Sequence, residues 1–398
     1  MSTSIPSSAA PPQRILLGPG PSDVPPTVLE ALARPTIGHL DPAYLNLMDE
    51  LREMLRIIFR TDNAWTLAIP GTGSAGMEAC VANLTEPGDR VLVVIAGVFG
   101  GRMAEVARRC GADVETIEVP WGETVSAERI AQELDGGERF RWVGLVHAET
   151  STGAHQPLEE ISRLVHDAGA LFVVDAVTSL AGMELEVDGW AIDACYSGTQ
   201  KCLSCPPGLA PVTFSDAALA RVEARSHPVQ SWYLDLTLIG GYWGGERAYH
   251  HTAPINMSYA LHEAVRLVLV EGLEARIARH ARHHRALRAG LEALGLRWIP
   301  ERTLTTLNAV HIPDGVDDAR VRRRLLGEFG IEIGAGLGPF RGRAWRIGLM
   351  GASSQRRHVL LVLAALERLL IDEGHALTPG AATDAAFAAL AADAPSPN

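Results

Sequence analysis

Short apolar runs alternate with amphipathic stretches of roughly ten residues through the first half of the chain. RVLVVI at 90–95, the run at 142–147 and ALFVVD at 170–175 read as strands buried on both faces. Further strands are predicted at 65–69, 113–119, 194–197 and 210–214. Helices are predicted at 26–33, 44–59, 75–84, 102–110, 126–134 and 158–168, with Ser126 as a cap. Strands alternating with helices imply an α/β fold, a mostly parallel sheet wrapped by helices.

The 398 residues exceed what one core usually supports. After residue 256 the pattern changes to a long helical stretch and then to a small α+β unit. The expected organisation is an N-terminal arm over 1–14, a large domain over 15–256, a connecting helical segment over 257–294 bent near Gly272, a small domain over 295–372, and a surface tail over 373–398. A balance of 35 Lys+Arg against 47 Asp+Glu, net −12, argues against a basic nucleic-acid binder. No window reaches the ~18 apolar residues of a membrane span. Five scattered cysteines fit a reducing compartment, and the cytoplasm is expected. Cys202 and Cys205 read as small residues of a packed turn. His280, His283 and His284 lie among arginines and are expected on a solvated helical face; no metal site is expected.

Three features carry chemistry. Gly71-Thr72-Gly73-Ser74-Ala75-Gly76 follows a strand and opens a helix, so its N–H groups suit an anion such as phosphate, although many such loops are plain turns. Asp175 ends the strand ALFVVD, where it either faces a ligand crevice or caps a turn. Lys201 sits in Ser197-Gly198-Thr199-Gln200-Lys201, with no charged neighbour between Asp193 and Asp216. That setting favours a partly buried lysine of depressed pKa, a Schiff-base former. Phe99, just after RVLVVI, could supply a ring face or core packing. Together these are the parts of a pyridoxal 5′-phosphate site: oriented phosphate donors, a carboxylate for the pyridine nitrogen and an amine for the aldehyde. Arg346 lies between Trp345 and Ile347 in a short strand; a substrate carboxylate or an internal salt bridge would serve it equally.

The segments LLGPGPSDVPP, GHLDP, GTGSAGMEA, HAETSTG, VVDAVTSL, SGTQKCL, PPGLAPV, YHHTAPIN, IEIGAGLGP and WRIGLMG resemble the fold-type I, class V pyridoxal-phosphate aminotransferases, in particular the alanine–glyoxylate, serine–pyruvate and serine–glyoxylate group. The resemblance implies a large domain with a seven-stranded-type, mostly parallel sheet and a small C-terminal domain. It implies that Lys201 bonds the cofactor aldehyde and moves the substrate proton, that Asp175 holds the pyridine nitrogen, and that Val177 underlies the ring. It places Gly73, Ser74 and Gln200 at the phosphate, Thr150 near the ring hydroxyl, Phe99 on the ring face where relatives often carry tryptophan, and Arg346 on the substrate carboxylate. Tyr249 and Thr252 match residues reaching the phosphate of a neighbouring subunit, which implies a homodimer with shared sites. The segment around Gly20 is expected over the active site, and Asn256 and His39 are expected to face substrate.

The expected reaction is ping-pong transfer of an amino group from alanine or serine to glyoxylate or pyruvate. Alternatives are (S)-ureidoglycine–glyoxylate or pyridoxamine–pyruvate transamination. Cysteine desulfuration would need a cysteine well beyond the lysine, and the last one is Cys205. A non-catalytic binding protein has no reason to keep Asp175, Lys201 and Arg346 together.

Overall fold

The computed structural model describes residues 10–137 and 139–392. The first nine positions of the expected arm and the last six of the expected tail lie outside the described residues. Seven strands build the central sheet: β1 (Trp65–Pro70), β2 (Arg90–Ile95), β3 (Asp113–Glu118), β4 (Trp142–Val146), β5 (Leu171–Asp175), β6 (Ala194–Tyr196) and β7 (Leu209–Phe214). Their spatial order is β1-β7-β6-β5-β4-β2-β3. β7 runs antiparallel to both of its neighbours, and all other pairs are parallel. The carboxyl ends of the parallel strands therefore lie at one edge, where Asp175 ends β5 and the lysine loop follows β6. Helices cover both faces, as the continuous apolar strands require.

The Val98–Arg109 helix begins four residues before its expected start at 102. Gly97, Gly100 and Gly101 lower local helix propensity, but packing overrides it. A Cβ at Gly100 would run into the backbone of Val94 and Ile95, so glycine lets the first turn sit directly on β2. The expected bend near Gly272 is a complete break between the helices Ile255–Glu271 and Leu273–Ala293. Gly272 has φ 85, a conformation glycine adopts without penalty. The helices Asp216–Glu223 and Leu236–Trp243 were not expected; Ser215 and Asp235 cap them.

A second apolar core surrounds a small antiparallel sheet in which Ala344–Gly348 lies between Leu307–His311 and Gly334–Ala335. Leu287, Leu291, Leu325, Trp345, Val359 and Leu363 fill it. Two segments join this core contrary to the expected division. Ile15–Leu16 pairs with Ile331–Glu332, and Leu17 is buried here. The Ala381–Ala392 helix of the expected surface tail buries Ala382 and Ala386 against it. From Ile15–Leu17 in the second core, the chain crosses to the first past residues 18–22.

The histidines of the Leu273–Ala293 helix are not solvated. His280, His283 and His284 are buried, on the face that packs inward, while Arg282 and Arg285 beside them are exposed. His280 accepts from the Gly351 N–H at 2.9 Å, His283 bonds Ser354, and His284 bonds Asn308. Burial, aided by nearby arginines, lowers His280 to about 3 and His283 to about 4, so both are neutral near pH 7.

Candidate active site

A cavity of about 130 Å³ at the carboxyl edge of the sheet is lined by seven of the predicted residues: Gly73, Ser74, Phe99, Asp175, Val177, Gln200 and Lys201. The Gly73–Leu84 helix opens onto it. The first N–H groups of a helix have no intrahelical acceptor, and the N-cap Thr72 makes no side-chain capping bond. A Cβ at Gly73 would stand 3.1 Å from Val177 Cγ2 and 3.5 Å from the Ser197 carbonyl, so glycine lets the turn close on the lysine loop.

Asp175 is buried and both its oxygens are held. The Val177 N–H donates to Oδ1 at 2.9 Å and the Tyr196 hydroxyl to Oδ2 at 2.8 Å. Burial raises Asp175 to about 6, against the lowering effect of these two donors and Lys201; Glu149 adds to the rise. Tyr196 had not been singled out. Its place follows from the parallel register that sets Asp175 opposite Tyr196, and register between distant strands is not written in either strand alone.

Lys201 is 8% exposed. Burial, then the charge of Arg346, lowers its amine to about 8. Its Nζ donates to the Pro19 carbonyl. The neighbouring strap is tied to the same loop: Ser22 Oγ donates to the Lys201 carbonyl at 2.7 Å, and the Ser22 N–H to the Gln200 carbonyl at 2.9 Å. Gly20 lies against the amine, and a Cβ there would stand 2.5 Å from Nζ. One compositional signal also marks this residue: Lys201 is the only lysine in the sequence, and the other 34 of the 35 basic residues are arginine.

Arg346 is 7% exposed, and its Nε and Nη1 donate to the carbonyls of Ala335 and Thr150 at 2.7 and 3.0 Å. Among the described residues it has no carboxylate within ion-pair distance, so the internal salt bridge that sequence left open is not made. Burial lowers it to about 10, which leaves it cationic at neutral pH. Its charge acts on Lys201, and Glu149 acts on it.

Glu149 is a second residue missed in the sequence, although it stands in the HAETSTG segment. It is buried and accepts from the Ser151 N–H at 2.9 Å, the Ser151 hydroxyl at 2.6 Å and the Phe99 N–H at 3.2 Å. Burial raises its pKa. It sits under the start of the Val98–Arg109 helix, the favourable end for an anion, and so fixes Phe99 from below.

Tyr249, Thr252, Asn256 and His39, all predicted at the site, are not among the residues that line this cavity. Tyr249 is 63% exposed and Thr252 is exposed. The Tyr249 ring packs on His39 with centroids 5.1 Å apart. Asn256 accepts from Thr36 Oγ1 at 2.6 Å and donates to the carbonyls of Leu32 and Arg34. Its side chain clamps the end of the Pro26–Leu32 helix instead of facing Lys201.

The residues present fit pyridoxal 5′-phosphate. Helix-start N–H groups face the cavity beside Ser74. Gln200 Oε1 is buried with no hydrogen-bond partner among the described residues, and an amide in that place can turn either end to a ligand. A held carboxylate and a low-pKa amine lie in the same cavity, and a buried guanidinium lacking an acid stands nearby.

Residues 15–339 match the family Aminotransferase class-V. A (S)-ureidoglycine–glyoxylate transaminase of Bacillus subtilis (strain 168) is 42% identical over 396 residues, covering 94% of this chain and 95% of that protein. The crystal structure of an alanine–glyoxylate aminotransferase from Nostoc sp. superposes with a TM-score of 0.91 at 48% identity, covering 92% of this chain and 98% of its own. A pyridoxamine–pyruvate aminotransferase from Mesorhizobium loti superposes with a TM-score of 0.91 at 32% identity, covering 98% of this chain and 100% of its own. The mixed sheet, the cavity at its carboxyl edge and these likenesses agree: the chain belongs to the class-V aminotransferases and is a fold-type I enzyme that uses pyridoxal 5′-phosphate.

Proposed function

We propose that the enzyme moves an amino group from a small neutral amino acid, alanine or serine, to glyoxylate or pyruvate by a ping-pong route, with Lys201 and Asp175 as the catalytic pair. The observation that carries this reading is Arg346, a buried guanidinium with no acid partner among the described residues, whose charge is felt by Lys201. A bidentate α-carboxylate is its natural ligand.

When bound, the cofactor supplies an aldehyde and an electron-withdrawing ring. Asp175, aimed by Val177 N–H and Tyr196, holds the proton of the ring nitrogen. Lys201 Nζ, with a pKa of about 8, takes the proton from the substrate Cα and returns one on the reverse path. Phe99 and Val177 would bound the ring, and Thr150, whose carbonyl holds Arg346, would stand near its hydroxyl. Gly73, Ser74 and Gln200 would receive the phosphate. The Pro19-Gly20 strap closes over Lys201 with backbone alone and excludes water without adding charge.

A donor with a second carboxylate finds Glu149 and Asp175 in this region, both buried, while the further unpaired guanidinium of the cavity lining, Arg102, is turned to Ser74 at the start of the Gly73–Leu84 helix. Desolvating that second acid would go uncompensated. The Bacillus relative, at 42% identity, favours (S)-ureidoglycine as donor as a second reading; pyridoxamine–pyruvate chemistry is a third, from the Mesorhizobium structure. Exposed Trp232, Tyr233 and Tyr249 support a homodimer in which Tyr249 and Thr252 complete the partner's site. Five free, buried cysteines support a reducing compartment such as the cytoplasm.

The test is a panel of half-reactions followed by the visible band of the lysine-bound cofactor. Alanine or serine should discharge it with higher kcat/KM than aspartate or glutamate. Glutamate as the best donor would overturn the pocket argument, and ureidoglycine or pyridoxamine as the best donor would install the corresponding alternative.

A further inference from the structure

The residues placed at the phosphate, Gly73, Ser74, Gln200 and the partner copy's Tyr249 and Thr252, are all uncharged. A phosphate monoester brings roughly 1.5–2 negative charges near neutral pH. A helix start offsets only about half a charge, and Asp175 and Glu149 put carboxylates in the same region. The cavity lining holds two cations, Lys201 and Arg102. Lys201 is committed to the aldehyde end.

Arg102 lies one turn after Phe99 on the Val98–Arg109 helix, so the two share a face. Its Cζ stands 5.0 Å from the Phe99 ring centroid. Its Nη1 donates to Ser74 Oγ at 3.2 Å, at the start of the helix that faces the cavity. Among the described residues Arg102 has no carboxylate within ion-pair distance, whereas most other helix-surface arginines, such as Arg56, Arg109, Arg163 and Arg324, pair with an acid. A guanidinium laid on an aromatic ring and reaching a phosphate-loop hydroxyl keeps donors free for phosphate oxygens.

We propose that Arg102 is the cationic ligand of the cofactor phosphate and that it reaches the phosphate across the Phe99 ring. This rests on the cofactor assignment above. An arginine that served only to cover Phe99 would support the ring and ignore the phosphate, and the two roles separate when the phosphate is deleted from the ligand.

The experiment titrates the full-length apoprotein with pyridoxal 5′-phosphate and, into the millimolar range, with pyridoxal, reading the growth of the visible band. Wild type, Arg102→Met and Arg102→Lys are compared. Arg102→Met should weaken pyridoxal 5′-phosphate roughly tenfold while leaving pyridoxal within about twofold of wild type, and Arg102→Lys should recover part of the loss. Pyridoxal binding is the control that the pocket is folded. Inorganic phosphate gives a second readout: it should slow capture of pyridoxal 5′-phosphate by the wild type and lose that effect in Arg102→Met. Equal losses for both aldehydes, or no loss for either, would overturn the role of Arg102. A wild type that forms no band with either aldehyde would instead overturn the cofactor reading itself.

Discussion

Replacing Arg346 with alanine should separate recognition of the α-carboxylate from the rest of catalysis. The guanidinium is fixed by two carbonyls, Ala335 at 2.7 Å and Thr150 at 3.0 Å, and is 7% exposed. It is therefore already desolvated and oriented before a substrate arrives, and its removal would leave a bound carboxylate buried without a partner. Truncating one member of such a charge pair costs about 2–5 kcal/mol. At 1.36 kcal/mol per decade, a value near the middle of that range lowers kcat/KM for alanine about a hundred- to a thousandfold. The internal control is an amine of similar size without a carboxylate, such as ethylamine. It never uses Arg346, so its rate should change by less than about threefold. Stopped-flow half-reactions on the holoenzyme read both. The reasoning fails if alanine and ethylamine lose activity equally, because Arg346 would then serve only to hold Thr150 and Ala335.

Other consequences follow from the same geometry. Asp175→Asn, which cannot hold the ring-nitrogen proton as an anion, should cut kcat roughly a hundredfold or more, and the loss is read in steady-state transamination. Full activity would remove Asp175 from the mechanism. Because burial lowers Lys201 to about 8, the free amine fraction grows as pH rises and saturates above that value. Capture of pyridoxal 5′-phosphate by the apoprotein should therefore accelerate from pH 6 to about 8 and then level off; an acceleration continuing to pH 10 would mean an unperturbed lysine. If the partner's Tyr249 and Thr252 complete each site, mixing Lys201→Ala with a Tyr249→Phe/Thr252→Ala variant should gather both defects into one site of a heterodimer and restore activity at the other. No recovery in verified heterodimers would refute shared sites.

Most of the large sheet could be read from the sequence because its strands are buried on both faces and announce themselves as unbroken apolar runs. That the Gly71–Gly76 loop, Asp175 and Lys201 would meet at one edge of the sheet was legible because each follows or ends a strand. What escaped depends on contacts between segments far apart in sequence. Tyr196 reaches Asp175 only through strand register. Glu149 matters because the Val98–Arg109 helix starts above it, against the local glycine propensities. The inward turn of His280, His283 and His284 was hidden by the arginines around them, whose charge suggested solvent although Arg276 itself is buried against Glu271. Asn256 was expected to face substrate, and in the folded chain its amide is committed to Thr36, Leu32 and Arg34.

The central claim is that one amine, that of Lys201, both bonds the cofactor and moves the substrate's proton. Because Lys201 is the only lysine in the chain, borohydride reduction of the holoenzyme followed by peptide mass spectrometry tests the first half without ambiguity. The reduced cofactor should map to the peptide containing Lys201. In a single-turnover experiment with alanine, the wild type should release one pyruvate per site, and Lys201→Ala, loaded with pyridoxal 5′-phosphate, should release none on that timescale. A reduced adduct found elsewhere, or pyruvate released by Lys201→Ala at a rate near wild type, would contradict the assignment.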